Sequence, residues 1–167
     1  MAGFVPAIFI RAEGRDLMGG LSVISWQVAW RDAMAAEGLV TVTCKSGFQE
    51  TVTRLKEGIA SRGLTLFAVI DHAKGAEEAG LVLRPTTVLI FGNAKGGTPL
   101  MQANQTMGVD LPLRALVWED GKGQTWISYN DPVWLAQRHA LPAQAEKVAE
   151  TLRQGLESIV KSAAGNA

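Results

Sequence analysis

Thr86-Thr87-Val88-Leu89-Ile90-Phe91-Gly92, continued by Asn93-Ala94-Lys95-Gly96-Gly97-Thr98-Pro99-Leu100-Met101, is the stretch whose reading decides the fold. Its first half is a short unbroken apolar run with β-branched and aromatic residues, the pattern of a strand buried on both faces. Its second half is a glycine-rich turn with one lysine. Thr98-Pro99 then supplies a capping hydroxyl and a proline suited to the first helical position. Strand, turn and helix start form an architectural core, but they do not amount to a reaction.

The chain on either side repeats the alternation of strand and helix. Leu39 to Cys44 alternates and is β-branched, hence a half-buried strand. Ser46 with Gln49 forms a capping-box pattern ahead of Phe48, Val52, Leu55 and Ile59 at helical spacing, and Gly63 stops that helix. Leu64 to Ile70 reads as a second strand, apolar on both sides and ending in Asp71-His72; Ala73 to Gly80 fits a short helix or turn. After the central stretch come a short helix over Leu100 to Thr106 and strands at Leu113 to Glu119 and Gln124 to Tyr129. Asp120-Gly121-Lys122-Gly123 joins those strands as a tight hairpin turn. Asp131-Pro132 starts a helix, and Ala145, Val148, Ala149, Leu152, Leu156, Ile159 and Val160 mark one face of a final amphipathic helix. Gly155 weakens that helix by about 1 kcal/mol relative to alanine, which argues for a packing contact there.

The order predicts one α+β domain with a mostly antiparallel sheet of about five strands and helices packed on it. Length and a hydrophobic fraction of 47% permit a sizeable core. Sixteen basic and sixteen acidic residues cancel without clustering, so no nucleic-acid or anionic-membrane partner is implied. One cysteine, Cys44, excludes an intrachain disulfide and fits a reducing, cytoplasmic location. With only His72 and His139, no metal site is expected within one chain, and the residues name no cofactor. Residues 1–33 lack clear periodicity and a secretory pattern, so the domain is expected over residues 34–167, with Met34 as the start of translation and 1–33 as an extension outside it.

Several segments carry a family resemblance. They are Ser46-x-Phe48-x-Glu50-Thr51-Val52-x-x-Leu55, Phe67-Ala-x-Ile70-Asp71-His72, Leu83-Arg84-Pro85-Thr86 and Phe91-Gly92-Asn93-x-Lys95-x-Gly97-Thr98-Pro99-Leu100-Met101. Asp110-Leu-Pro-Leu113, Trp118-Glu119-Asp120 and Tyr129-Asn130-Asp131-Pro132 follow in the same order. Together they resemble the bacterial domain-of-unknown-function family 302 from about Leu39 to His139, departing at Ala94, where proline is expected. The resemblance implies a TATA-binding-protein-like α+β architecture and a homodimer, for which the five tryptophans offer secondary support. It implies no activity.

If strands two to five form a meander, one sheet edge gathers Asn93, Lys95, Thr98, Arg114, Asn130 and Asp131, and the other gathers Asp71, His72, Arg84, Glu119 and Asp120. At the first, Asn93, Lys95, Gly96, Gly97, Thr98 and Asn130 form a candidate site for a small anionic ligand, combining turn N–H groups, a helix N-terminus and a cation. The bland alternative is a turn that needs glycine for positive φ beside a solvated lysine. The pattern is neither a phosphate-loop motif nor G-x-G-x-x-G. At the second edge, His72 with Asp71 or Glu119 is a candidate hydrolase- or isomerase-type acid–base set, against an aspartate that merely caps the next turn. The leading expectation is a dimeric binding domain. The rivals are the enzyme and a protein–protein interaction module.

Overall fold

The computed structural model describes residues 37–166, so the expected extension 1–33 lies outside the described residues. The order is β1 (Leu39–Thr43), α1 (Phe48–Ser61), β2 (Thr65–Asp71), α2 (His72–Glu78), β3 (Thr86–Gly92), α3 (Ala94–Ala103), a 3-10 turn (Gln105–Val109), β4 (Leu113–Glu119), β5 (Thr125–Asn130), α4 (Pro132–Arg138) and α5 (Ala143–Ala163). The five strands make one antiparallel sheet in the order β1-β5-β4-β3-β2, so the meander is present and β1 joins it beside β5. The α+β single-domain fold is as the sequence predicts.

Helices α1 and α5 cover one face of the sheet. The inward residues Leu89 and Phe91 of β3, Ala115 and Val117 of β4 and Ile127 of β5 are fully buried there against Leu55, Ile59 and Val160. Burial of each large side chain contributes roughly 1.5–3 kcal/mol, so this layer supplies most of the stability. On the opposite face Trp118 and Trp126 stack with ring centroids 6.0 Å apart. The Trp118 indole N–H donates to Ser128 Oγ at 2.9 Å, and that of Trp126 donates to Asp120 Oδ2 at 3.1 Å.

Three local expectations change. β3 is buried on one face and half-buried on the other, because among the described residues helices α1 and α5 cover one side of the sheet. β2 is not a core strand. It is an edge strand among the described residues, with Phe67 57% exposed and Ile70 44% exposed, because β3 alone of these pairs with it. Helix α1 starts at Phe48 after Gly47 with no side-chain cap, so Ser46 does not form the expected capping box.

Candidate functional site

The central stretch folds differently from its sequence signal. Helix α3 begins at Ala94, four residues before Thr98, because Asn93 intercepts the chain as it leaves β3. Its backbone is extended, and its Oδ1 accepts the Gly96 N–H at 2.7 Å. An asparagine in this position satisfies one of the unpaired donors of the first helical turn. Pro99 therefore lies inside the helix.

The glycines serve close approach rather than turn geometry, since Gly92, Gly96 and Gly97 all lack positive φ. A Cβ on Gly96 would lie 2.9 Å from Leu152 Cδ2, and one on Gly97 3.5 Å from Leu111 Cδ1. Small residues here let α3 rest against α5 and the strand connection.

Beside that contact is a cavity of about 440 Å³, bounded by the end of β3, by α3, by α5 and by the β2 edge. Phe67, Phe91, Leu111, Leu152, Leu156 and Ile159 give it apolar walls. Gly155 also lines it, and a Cβ there would meet nothing within 4 Å. The expected packing contact at Gly155 is thus an open space. Polar groups line the same cavity at Asn93, Thr98, Thr151 and Arg62. The Arg62 guanidinium donates to Ser158 Oγ at 2.6 Å.

Of the residues expected to bind an anion, Asn93, Gly97 and Thr98 line the cavity, whereas Lys95, Gly96 and Asn130 do not. Lys95 and Asn130 are exposed, the latter at the end of β5 opposite Leu39. Among the described residues Arg62 is the only ionisable one in the lining. A guanidinium keeps its proton near neutral pH, so the lining offers a donor and a fixed positive charge but no acid–base pair.

At the other edge, Asp71 caps α2 by accepting the Lys74 N–H at 3.0 Å, and His72 is the exposed first residue of that helix. Glu119 ends β4 opposite Thr125. β3 lies between β2 and β4, which sets His72 and Glu119 about two strand spacings, roughly 10 Å, apart. Among the described residues no side-chain hydrogen bond joins His72, Asp71 and Glu119 to one another. Asp120 accepts N–H groups from Lys122 at 2.8 Å and Gln124 at 3.0 Å. The Lys122 N–H first, then those of Gln124 and Trp126, hold its carboxyl below the usual range. Asp71 and Asp120 thus shape a helix cap and a turn.

Sequence reasoning did not bring Arg62, Phe67, Thr151 and Gly155 together in one site, because no local signal links positions so far apart. It also passed over a second polar cluster. His139 Nε2 lies 2.7 Å from Asp110 Oδ2 and its Nδ1 2.9 Å from Thr106 Oγ1, which ties the 3-10 turn to the end of α4. Cys44 is buried, and burial pushes its thiol up, as befits a small hydrophobe rather than a nucleophile. Among the described residues no group of three histidines, cysteines or acids is placed to hold a metal.

The family model described as "Domain of unknown function DUF302" matches residues 40–159. The chain belongs to the DUF302 family. The match continues past His139, where the sequence resemblance stopped, and takes in most of α5. The DUF302 fold is also that of a solved relative, "Crystal structure of uncharacterized conserved protein DUF302 from Bacillus stearothermophilus". The two are 22% identical with a TM-score of 0.69, over 77% of this chain and 99% of that one. Curated relatives include "Fluoride-specific ion channel FluC 1" of Brucella suis, 46% identical over 77% of this chain and 51% of that protein. The protein of the same name in Brucella abortus is 46% identical over 77% of this chain and 48% of its own length. This DUF302 chain thus spans about half the length of the curated relatives it matches. No helix among the described residues is long and apolar enough to cross a membrane.

Proposed function

We propose that this DUF302 chain is a dimeric, non-catalytic binding domain for a small amphipathic molecule with an acidic head. The observation that carries the reading is the cavity of about 440 Å³ whose walls are apolar and whose polar groups are few. Binding sites for small organic molecules have this composition. The apolar body would lie against Phe91, Leu152 and Leu156. The head would meet Arg62, Thr98 and Thr151, near the positive end of α3. The anionic ligand expected from the sequence is kept, but its binding groups move from Lys95 into the cavity. Support for the dimer comes from the exposed apolar edge strand β2. The enzyme reading gains no support from the separated His72 and Glu119. The single buried cysteine favours a reducing, cytoplasmic setting.

The test is a thermal-shift series of straight-chain carboxylates from acetate to dodecanoate, with sulfate and phosphate as controls. A ligand at one hundred times its dissociation constant stabilises the fold by about 2.7 kcal/mol. Stabilisation that grows with chain length and is absent for inorganic anions is expected. A response to inorganic anions alone, or to none of the series, would overturn the reading.

A second reading concerns context. In the Brucella proteins named as fluoride-specific channels, this domain is proposed to be an appended module, with the pore in the other half. The absence of a spanning helix among the described residues favours it, since a helical pore needs spans of about 20 apolar residues. Fluoride should then leave the melting temperature of this chain unchanged. A specific fluoride shift would speak for direct ion binding instead.

A further inference from the structure

Three side-chain contacts in a row run through His139, and a neutral ring cannot supply the protons for all of them. Its Nε2 lies 2.7 Å from Asp110 Oδ2 and its Nδ1 2.9 Å from Thr106 Oγ1. The Thr106 hydroxyl lies in turn 2.9 Å from Asn104 Oδ1. Each contact needs one proton between its heavy atoms. A neutral imidazole brings one and the threonine hydroxyl brings one, whereas a carboxylate and an amide oxygen bring none.

The Asn104 amide does not supply the third by turning round. Its NH2 donates to the His139 carbonyl at 2.9 Å and its Oδ1 accepts the Thr106 N–H at 3.1 Å, so a flip would forfeit both. The Asp110 carboxyl is not the carrier either, because the Arg138 guanidinium stands 3.4 Å from the same oxygen and favours the anion. Asp110 and Arg138 are the charged groups set against the ring; Leu100 of α3 and Ala145 and Ala149 of α5, in the adjoining core, are apolar. The row is complete when the ring carries both protons. Nε2–H then donates to Asp110, Nδ1–H to Thr106, and the threonine hydroxyl onward to Asn104.

The row stands where it can act on the cavity. Asn104, Thr106 and Asp110 fall between Met101 and Leu111, which line the cavity and also pack on the core that holds Leu135 and Ala136 of α4. Ala140, next after His139, has a φ of +48°, a backbone that a residue other than glycine keeps where its surroundings fix it.

We propose that this row is a proton-dependent latch on the cavity wall, in which an imidazolium at His139 holds residues 104–110 in place. With the neutral ring, two lone pairs face each other, either between His139 and Thr106 or between Thr106 and Asn104. One contact then opens, and the wall between Met101 and Leu111 loosens. The effect on a ligand rests on the cavity being a binding site. The closed latch holds a proton that the open one releases, so proton and ligand favour each other, and binding is tighter in acid than in alkali.

The experiment uses the full chain carrying His72→Ala, which leaves His139 as its one imidazole, with decyl sulfate as a probe whose head does not titrate. Nitrogen-15 NMR follows the ring from pH 5 to pH 9. Thr106→Val removes the middle of the row, and the ring should then lose its second proton at a pH lower by about one unit. Thr106→Ser keeps the hydroxyl and should titrate as the parent does; Thr106→Ala serves if the valine variant does not fold. By calorimetry the parent should bind decyl sulfate several-fold more tightly at pH 6 than at pH 8.5, and the valine variant should lose that ratio. An unchanged titration without the hydroxyl would overturn the proton count and the latch. Equal parent affinities at the two pH values, or a ratio that the valine variant retains, would overturn the latch's hold on the cavity. A parent that binds no decyl sulfate at either pH would overturn the ligand reading and that hold with it, while the titration still decides the latch.

Discussion

The two ends of the meander make an instructive pair. One end holds Asp71, His72, Arg84, Glu119 and Asp120, and so carries most of the chemistry that a sequence reader looks for. Asp71 is engaged in a helix cap and Asp120 in a turn, and Arg84 Nε donates to the Glu119 backbone carbonyl at 3.2 Å. The other end is poorer in charge, yet it holds the cavity. The difference teaches that residue type alone does not make a site. A binding place needs a space that the chain has left unfilled, with polar groups at its boundary rather than throughout.

Phe91→Ala should break the comparison most severely. Phe91 is fully buried and forms both core and cavity wall, so its truncation should cost about 3–5 kcal/mol in urea unfolding. A loss below 1 kcal/mol would mean that the cavity end is not built on the core.

Tyr129 offers a gentler probe of the same end. It is the chain's one tyrosine, 4% exposed, and its phenol is pushed up to about 12 by burial first and then by the Glu157 and Asp131 carboxylates. An unfolded tyrosine ionises near pH 10. The folded state therefore retains a proton that the unfolded state releases. This contribution is complete below pH 10 and is lost as the pH rises through 12, by on the order of 2 kcal/mol. Absorbance at 295 nm follows the ionisation, and Tyr129→Phe should remove this part of the alkaline decline. An ionisation near pH 10 in the folded protein would contradict it.

Gly155 sharpens the contrast between packing and space. Gly155→Ala should stabilise α5 by up to about 1 kcal/mol, because the new Cβ meets open volume in a helix interior. Gly155→Leu should abolish any carboxylate-induced melting shift by occupying the cavity. Destabilisation by alanine, or a retained shift with leucine, would show that the space is not as described.

The smallest effects belong to the exposed charges. His72→Ala and Lys95→Ala should each change stability by less than about 0.5 kcal/mol and leave the ligand response intact. A lost response in Lys95→Ala alone would return the site to the turn.

Much of the fold was legible because periodicity reports burial directly. The alternation of Leu39 to Cys44, the Asp120–Gly123 turn and the apolar face of α5 each specify an element without help from its neighbours. What failed were signals in competition. Thr98-Pro99 is a sound helix start, but Asn93 comes earlier and captures the helix first. The glycines after it carry the composition of a turn and fulfil a packing role, since composition does not distinguish positive φ from a close helix contact. β2 has the apolar content of a core strand, and only the strand order shows it to be an edge. The cavity was illegible for a deeper reason. It arises where Gly155 lacks a side chain, between residues drawn from across the chain, and no motif records a gap.

The stacked Trp118–Trp126 pair gives the molecule an intrinsic optical signature. Two indoles held at 6.0 Å with planes 20° apart couple their excited states, and each is anchored through its N–H to a neighbour in or beside the sheet. Their near-ultraviolet circular dichroism should report the twist between β4 and β5 without any added label. Because the pair lies on the face opposite helices α1 and α5, the same spectrum would register anything that settles there, in solution and in real time.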